Sequence, residues 1–326
     1  MIASLAAALL LSTAPADDSR PTIQAGAAQT QASPGAADLG EITVDGRRLE
    51  DMTRDFVREI GAPSRNRGLA RWREGVCVGV ANLQPELSQY IVDRVSTVAR
   101  DVGLRAGAPG CTPSVLVVAV SDANAFTPQF VAMRPRLFRV GGAGMDRGGA
   151  ALEQFKTNDL PVRWWIVTAP VDDDTGQLAT RTPGMLIGDQ DSGAEGNVML
   201  FAPNTKTRQA SRLSTQIVDD TKRAFIIVDV DKLGDVSTEQ LADYIAFITL
   251  AQIDPQADPS GYASILNVFD DPTQTPRLTQ WDQAYLTGLY DAVRTRRNLG
   301  ANASEIVASI VDTRRDMQRA ETTPGD

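Results

Sequence analysis

IIVDVDKLGDVSTEQLADYIAFITLAQIDP (Ile226–Pro255) holds a strand, a turn and a helix in one run, and its reading decides the fold. The β-branched residues up to Val230 suit a buried strand, and Asp229 and Asp231 fall where strand-to-helix turns commonly take Asp, which favours a structural over a ligand role. Ser237 followed three positions later by Gln240 is a capping box that starts a helix. That helix is apolar on nearly every side, through Ala242, Ile245, Ala246, Ile248, Leu250, Ala251 and Ile253. A helix of this kind is buried in a core. Its polar residues Asp243, Thr249 and Gln252 project at three different angles, so they cannot converge on a metal or substrate.

Working outward, GVCVGVANL alternates as a strand does, and SVLVVAVS (Ser114–Ser121) and PVRWWIVTAP (Pro161–Pro170) read as further strands. The paired tryptophans of the latter suit core packing. A backing helix follows Pro85, with Leu87, Ile91, Val95 and Val98 at helical spacing, and DANAFTPQFVAMRP suggests a short helix. SRLSTQIVDD and KRAFIIVDVD read as two strands of a hairpin joined by a short turn. Thr279 with Asp282 caps a helix LTQWDQAYLTGLYD, and Asn302 with Glu305 starts the last one. The order predicts an α+β fold: a mixed sheet packed on a backing helix and a central buried helix, with C-terminal helices.

The domain expectation is a signal peptide over 1–16, a flexible leader over 17–39, an N-terminal segment with a short strand and a helix over 40–69, the α+β domain over 70–292, and a C-terminal helix with a polar tail over 293–326. The signal reading rests on the apolar run Ile2–Leu11 and the small residues Ala14-Pro15-Ala16. No stretch is long and apolar enough to span a bilayer as a helix. The expected location is therefore the periplasm or the exterior.

The 326-residue chain carries a formal charge of −9, with no basic stripe to neutralise phosphates, which argues against nucleic acid as a partner. It has no histidine, which removes Ser-His-Asp and Cys-His catalysis and every His-containing zinc site. No Ser-x-x-Lys pair, Walker loop or helix-opening G-x-G-x-x-G is present, and no cofactor is expected. An enzyme is thus disfavoured. The two cysteines, Cys77 and Cys111, fit a single disulfide closing a loop of about 35 residues, worth roughly 3–4 kcal/mol. Carboxylates remain the one reactive class. Asp172 and Asp174, with Asp189, Asp191 and Glu195, lie in Gly-rich loop sequence that suits oxygen coordination of calcium, although no complete D-x-D-x-D-G loop forms. A carboxylate-based or calcium-assisted hydrolase is accordingly the alternative to a binding protein.

Several stretches carry resemblances. GEITVDGRRLED (Gly40–Asp51) resembles the short segment near the mature N-terminus of many TonB-dependent outer-membrane receptors, which implies an envelope partner docking on residues 40–51 as an added strand. RWREGVCVGVANL, GCTPSVLVVAVSD, PVRWWIVT, the stretch Ile226–Pro255, SILNVFDD and LTQWDQAYLTGLYD together resemble a family of secreted alphaproteobacterial proteins, a likeness that brings no activity with it. The later part more distantly resembles zincin metalloproteases of the matrixin kind, in which a sheet leads into an H-E-x-x-H helix and a later L-S-x-x-D…L-Y-G helix closes the domain. Leu278, Thr279, Asp282, Leu289 and Tyr290 match the closing helix. The catalytic motif would fall on Asp243, Tyr244 and Phe247, a carboxylate, a phenol and a phenyl ring, so the resemblance implies a zincin-like frame without zinc chemistry.

Overall fold

The computed structural model describes residues 37–64, 66–138, 147–179 and 212–322. The chain divides into two units, Met1–Val44 and Asp45–Asp326. In the first, the described residues 37–44 are helical. All packing discussed below lies in the second.

The fold is α+β around a mixed sheet. Its strands are β1 (Gly75–Val76), β2 (Val78–Ala81), β3 (Arg105–Ala106), β4 (Val115–Val120), β5 (Val162–Asp172) and β6 (Ile217–Asp229). The main sheet has the order β2-β4-β6-β5; β2, β4 and β6 run parallel and the edge strand β5 runs antiparallel to β6. The short pair β1 and β3 is parallel and separate. The helices are α1 (Ala37–Ile60), α2 (Pro85–Asp101), α3 (Ala123–Met133), α4 (Pro135–Phe138), α5 (Gly149–Thr157), α6 (Thr238–Leu250), α7 (Gln280–Asp291) and α8 (Leu299–Thr322).

The apolar runs of the strands are buried on both faces because successive side chains alternate. Val115, Val117, Trp164, Ile166, Ile226 and Val228 point into the larger core with α2 and α6. Val118, Trp165, Val167, Phe225 and Ile227 point the other way, onto α3, α4 and α5. The adjacent tryptophans therefore serve opposite layers. Trp164 donates its indole N–H to the Ile253 carbonyl at 3.0 Å and Trp165 donates to Phe138 at 2.8 Å, so neither polar atom is wasted.

The capping boxes at Ser237/Gln240 and Thr279/Asp282 are both present, with side chain and backbone exchanging hydrogen bonds. The last helix departs from the Asn302 start: it begins at Leu299, and Asn298 accepts from the N–H groups of Gly300 and Ala301. Asn302 instead lies inside α8 and donates to the Arg294 carbonyl at 3.0 Å.

Two larger differences matter. The hairpin is absent: residues 217–229 form one continuous strand, and the sheet passes straight through Asp219-Asp220-Thr221-Lys222. The register against β5 shifts between Val167 and Thr168, which pair with Arg223 and Thr221, so Lys222 is the extra residue of a bulge. A polar run that resembles a turn is thus a kink within a strand, with its acids facing partners inside the fold. Residues 40–51, expected to include a short strand, belong to α1. Thr43-Val44 is too short a β-branched run to hold a strand without a pairing edge, and Arg54 reaches back to Glu50 at 2.6 Å and Asp51 at 2.8 Å in helical i, i+4 and i, i+3 pairs. Strand addition by this segment is not the conformation it adopts.

Candidate functional site

The central helix α6 follows β6 through a short 3-10 turn at Val230–Lys232, and every residue from Gln240 to Leu250 is buried. Gln240 and Asp243, with Gln252 just beyond the helix, hold neighbouring segments, while the Thr249 hydroxyl and the Gln252 amide nitrogen are buried without a hydrogen-bond partner among the described residues. Gln240 donates to the carbonyls of Pro272 (2.6 Å) and Thr275 (2.8 Å), closing the loop before α7. Asp243 accepts from Arg94 of α2 with one oxygen and from the backbone N–H of Leu278 at 2.6 Å with the other. Gln252 accepts from the Ala70 N–H at 2.8 Å.

The aromatic positions are equally committed. The Tyr244 ring lies edge-on to Trp164 and Phe269, with centroids 6.1 and 5.0 Å away, and burial pushes its phenol well above the ordinary tyrosine range. Phe247 packs on Tyr285 at 5.8 Å. Asp243 and Tyr244 are adjacent and Phe247 lies about one turn further along the helix, yet the three have separate structural partners. The pockets lined by Glu74 and Arg105, by Tyr262 and Trp281, by Arg71 and Arg294, and by Arg94 and Gln283 have no residue of α6 in their walls.

Of the buried acids outside α6, Asp229 and Asp282 both hold neighbouring segments. Asp229 accepts from the Ala123 N–H at 3.1 Å at the start of α3, beside Lys232 at 3.6 Å, and Asp231 is exposed. Asp282 is buried at the head of α7 and accepts from the Ser264 hydroxyl (2.6 Å) and the N–H groups of Ile265 (2.7 Å) and Thr279 (3.0 Å). Burial raises its carboxyl to about 6 despite these donors.

Of the acids with a calcium-like pattern, Asp172 is buried at the end of β5 and accepts from the Thr175 N–H and hydroxyl, both at 2.9 Å. Asp174 is exposed. Asp189, Asp191 and Glu195 lie outside the described residues. Among those described, no group of three His, Cys, Asp or Glu side chains is placed to hold a metal ion. Cys77 and Cys111 form the expected disulfide, at the break between β1 and β2. No described helix is long and apolar enough to cross a membrane.

Sequence reasoning passed over a cluster built around Asp220, a fully buried residue of the β6 bulge. It accepts from Arg73 Nε at 2.7 Å and Lys222 Nζ at 3.2 Å with one oxygen, and from Arg294 Nη2 with the other. Burial would raise this carboxyl, but the hydrogen bonds from Arg73 and Arg294 outweigh it and hold the group below its usual value. Arg73 also donates to the Asp173 carbonyl at 2.7 Å, and Arg294 to that of Asp219 at 2.8 Å. Arg73 and Arg294 lie 147 and 74 positions from Asp220, so no local spacing announces the cluster; the one available signal was two adjacent acids within a β-branched run. No protein-family model, no curated protein and no solved structure matches the chain.

Proposed function

We propose that this is an exported, non-catalytic domain with a zincin-like frame, which works by binding or interaction in the periplasm or cell envelope. The observation that carries the reading is the state of Asp243: both carboxylate oxygens are committed, one to Arg94 and the other to the Leu278 N–H. At the place where a zincin helix would present its ligands, this chain has a core contact. The zincin-like part of the reading draws support from β6 leading directly into a buried central helix, and from the Thr279/Asp282 box that opens the later helix. Export draws support from the apolar run near Met1 and from the Cys77–Cys111 bond, which persists in an oxidising compartment.

The test is elemental analysis of the purified chain together with an assay on an unstructured protein substrate. The expected result is neither stoichiometric zinc nor cleavage. One equivalent of zinc that disappears in Asp243→Ala would overturn the proposal.

A further inference from the structure

We propose that Arg71, Arg73 and Arg294 form a binding site for a small organic anion bearing a carboxylate or phosphate group, in the pocket between the β1 approach and the C-terminal end of α7. No residue of α6 lines this site, and the proposal does not depend on whether the domain is catalytic.

The pocket measures about 490 Å³, and its lining includes Arg71, Arg73, Asp173, Tyr290, Val293 and Arg294. That is room for a small molecule and not merely for an ion. Four cations meet here, Arg71, Arg73, Lys222 and Arg294, against the three carboxylates Asp173, Asp220 and Asp291. Asp220 is spent on Arg73, Arg294 and Lys222 beneath the surface. Asp173 stands 3.8 Å from both Arg73 and Arg294, too far for a hydrogen bond. A local excess of positive charge in a chain of net charge −9 requires a reason.

Arg71 is the decisive residue. Its Nη1 donates to the carbonyls of Leu289 (2.6 Å) and Tyr290 at the end of α7, where a cation complements the helix dipole. That role explains one nitrogen. Nε and Nη2 have no hydrogen-bond partner among the described residues, no carboxylate pairs with the side chain there, and neither nitrogen is sealed from solvent. Three N–H donors of a planar fork are thus open to the pocket, the arrangement that receives two oxygens of a carboxylate or phosphate.

The site is also rigid before any ligand arrives. The Asp220 cluster holds Arg73 and Arg294, and the Tyr290 hydroxyl is fixed by donating to the Leu250 carbonyl at 2.9 Å. Burial, and then the positive charge of Arg294, lower Arg71 to about 10, which is the direction that a bound anion would reverse.

Sodium phosphate and sodium succinate serve as probes on the full chain, by calorimetric titration and thermal melting, against sodium chloride at equal ionic strength. Saturable binding of at least one probe is expected; succinate alone assigns the site to carboxylates, phosphate alone to phosphoryl groups, and both to their shared oxyanion chemistry. Val293→Glu places a carboxylate at the mouth, where Val293 is 46% exposed, without touching the arginine network. Together with Arg71→Met it is expected to weaken Kd roughly tenfold or more, the scale of one lost charge-assisted contact. The proposal is overturned if neither probe binds beyond the chloride control, or if folded Val293→Glu binds both as tightly as the parent chain.

Discussion

Asp243 accepts the backbone N–H of Leu278 at 2.6 Å, so a carboxylate in the middle of α6 fixes the residue that leads into α7. The Arg94 guanidinium on its other oxygen ties the same point to α2. Through this one side chain α6 holds both α2 and the entry to α7.

Asp243→Ala should therefore behave as a stability mutant. It leaves the Leu278 N–H without a partner and the Arg94 charge uncompensated, at a cost of about 2–4 kcal/mol. Urea unfolding would show a lower midpoint with an unchanged slope. A loss below 0.5 kcal/mol would mean that water replaces the carboxylate freely.

Asp220→Ala should cost more, about 3–5 kcal/mol, because it strands Arg73, Lys222 and Arg294 beside one another. The Asp220 carboxyl is lowered in the fold, so its contribution is present above the unfolded value of 3.8 and is lost as pH falls below it. The destabilisation by Asp220→Ala should accordingly shrink in acid, as followed by urea titration between pH 6 and pH 3.

Asp282 has the opposite sign. Its folded value of about 6 lies above 3.8, so the fold favours the protonated acid; that contribution is complete below about pH 4 and lost as pH rises through 6. Asp282→Asn removes the titration. The stability of the parent chain relative to this variant should fall between pH 4 and pH 6 and then level off. A difference independent of pH would refute the assignment.

At Gly288, α7 packs tightly against Ile310 of α8. A Cβ there would lie 2.5 Å from Ile310 Cγ1 and 2.6 Å from the Ile310 backbone nitrogen. Gly288→Ala should destabilise by about 1–3 kcal/mol despite the better helix propensity of alanine, because backbone cannot move aside as a side-chain tip can. A thermal melt suffices to measure it.

Replacing both Cys77 and Cys111 by Ser should cost roughly 3–4 kcal/mol on the loop-entropy estimate for this separation. Reductant should lower the melting temperature of the parent chain and leave that of the double variant unchanged.

Much of what the chain announced locally came through, the Asn302 helix start excepted. The capping boxes at Ser237 and Thr279, the backing helix with Ile91, Val95 and Val98 inward, the continuous apolar strands and the single disulfide are set by spacing within a few residues or by a count of two cysteines. Local pattern failed where a polar run had distant partners. Asp219-Asp220-Thr221-Lys222 has the composition of a turn, but Arg73 and Arg294 neutralise Asp220 from far away in the chain, so a bulged strand costs less there than a turn would. Residues 40–51 failed for a related reason: a lone Thr-Val pair makes a strand only beside a waiting edge, and the continuing helix supplies ion pairs instead. The sequence by itself determined that this is an α+β core with no histidine to act as a base or a metal ligand. Only the tertiary structure decided which charges are spent and which remain, because Arg71 and Asp220 acquire or lack partners through contacts that no spacing along the chain records.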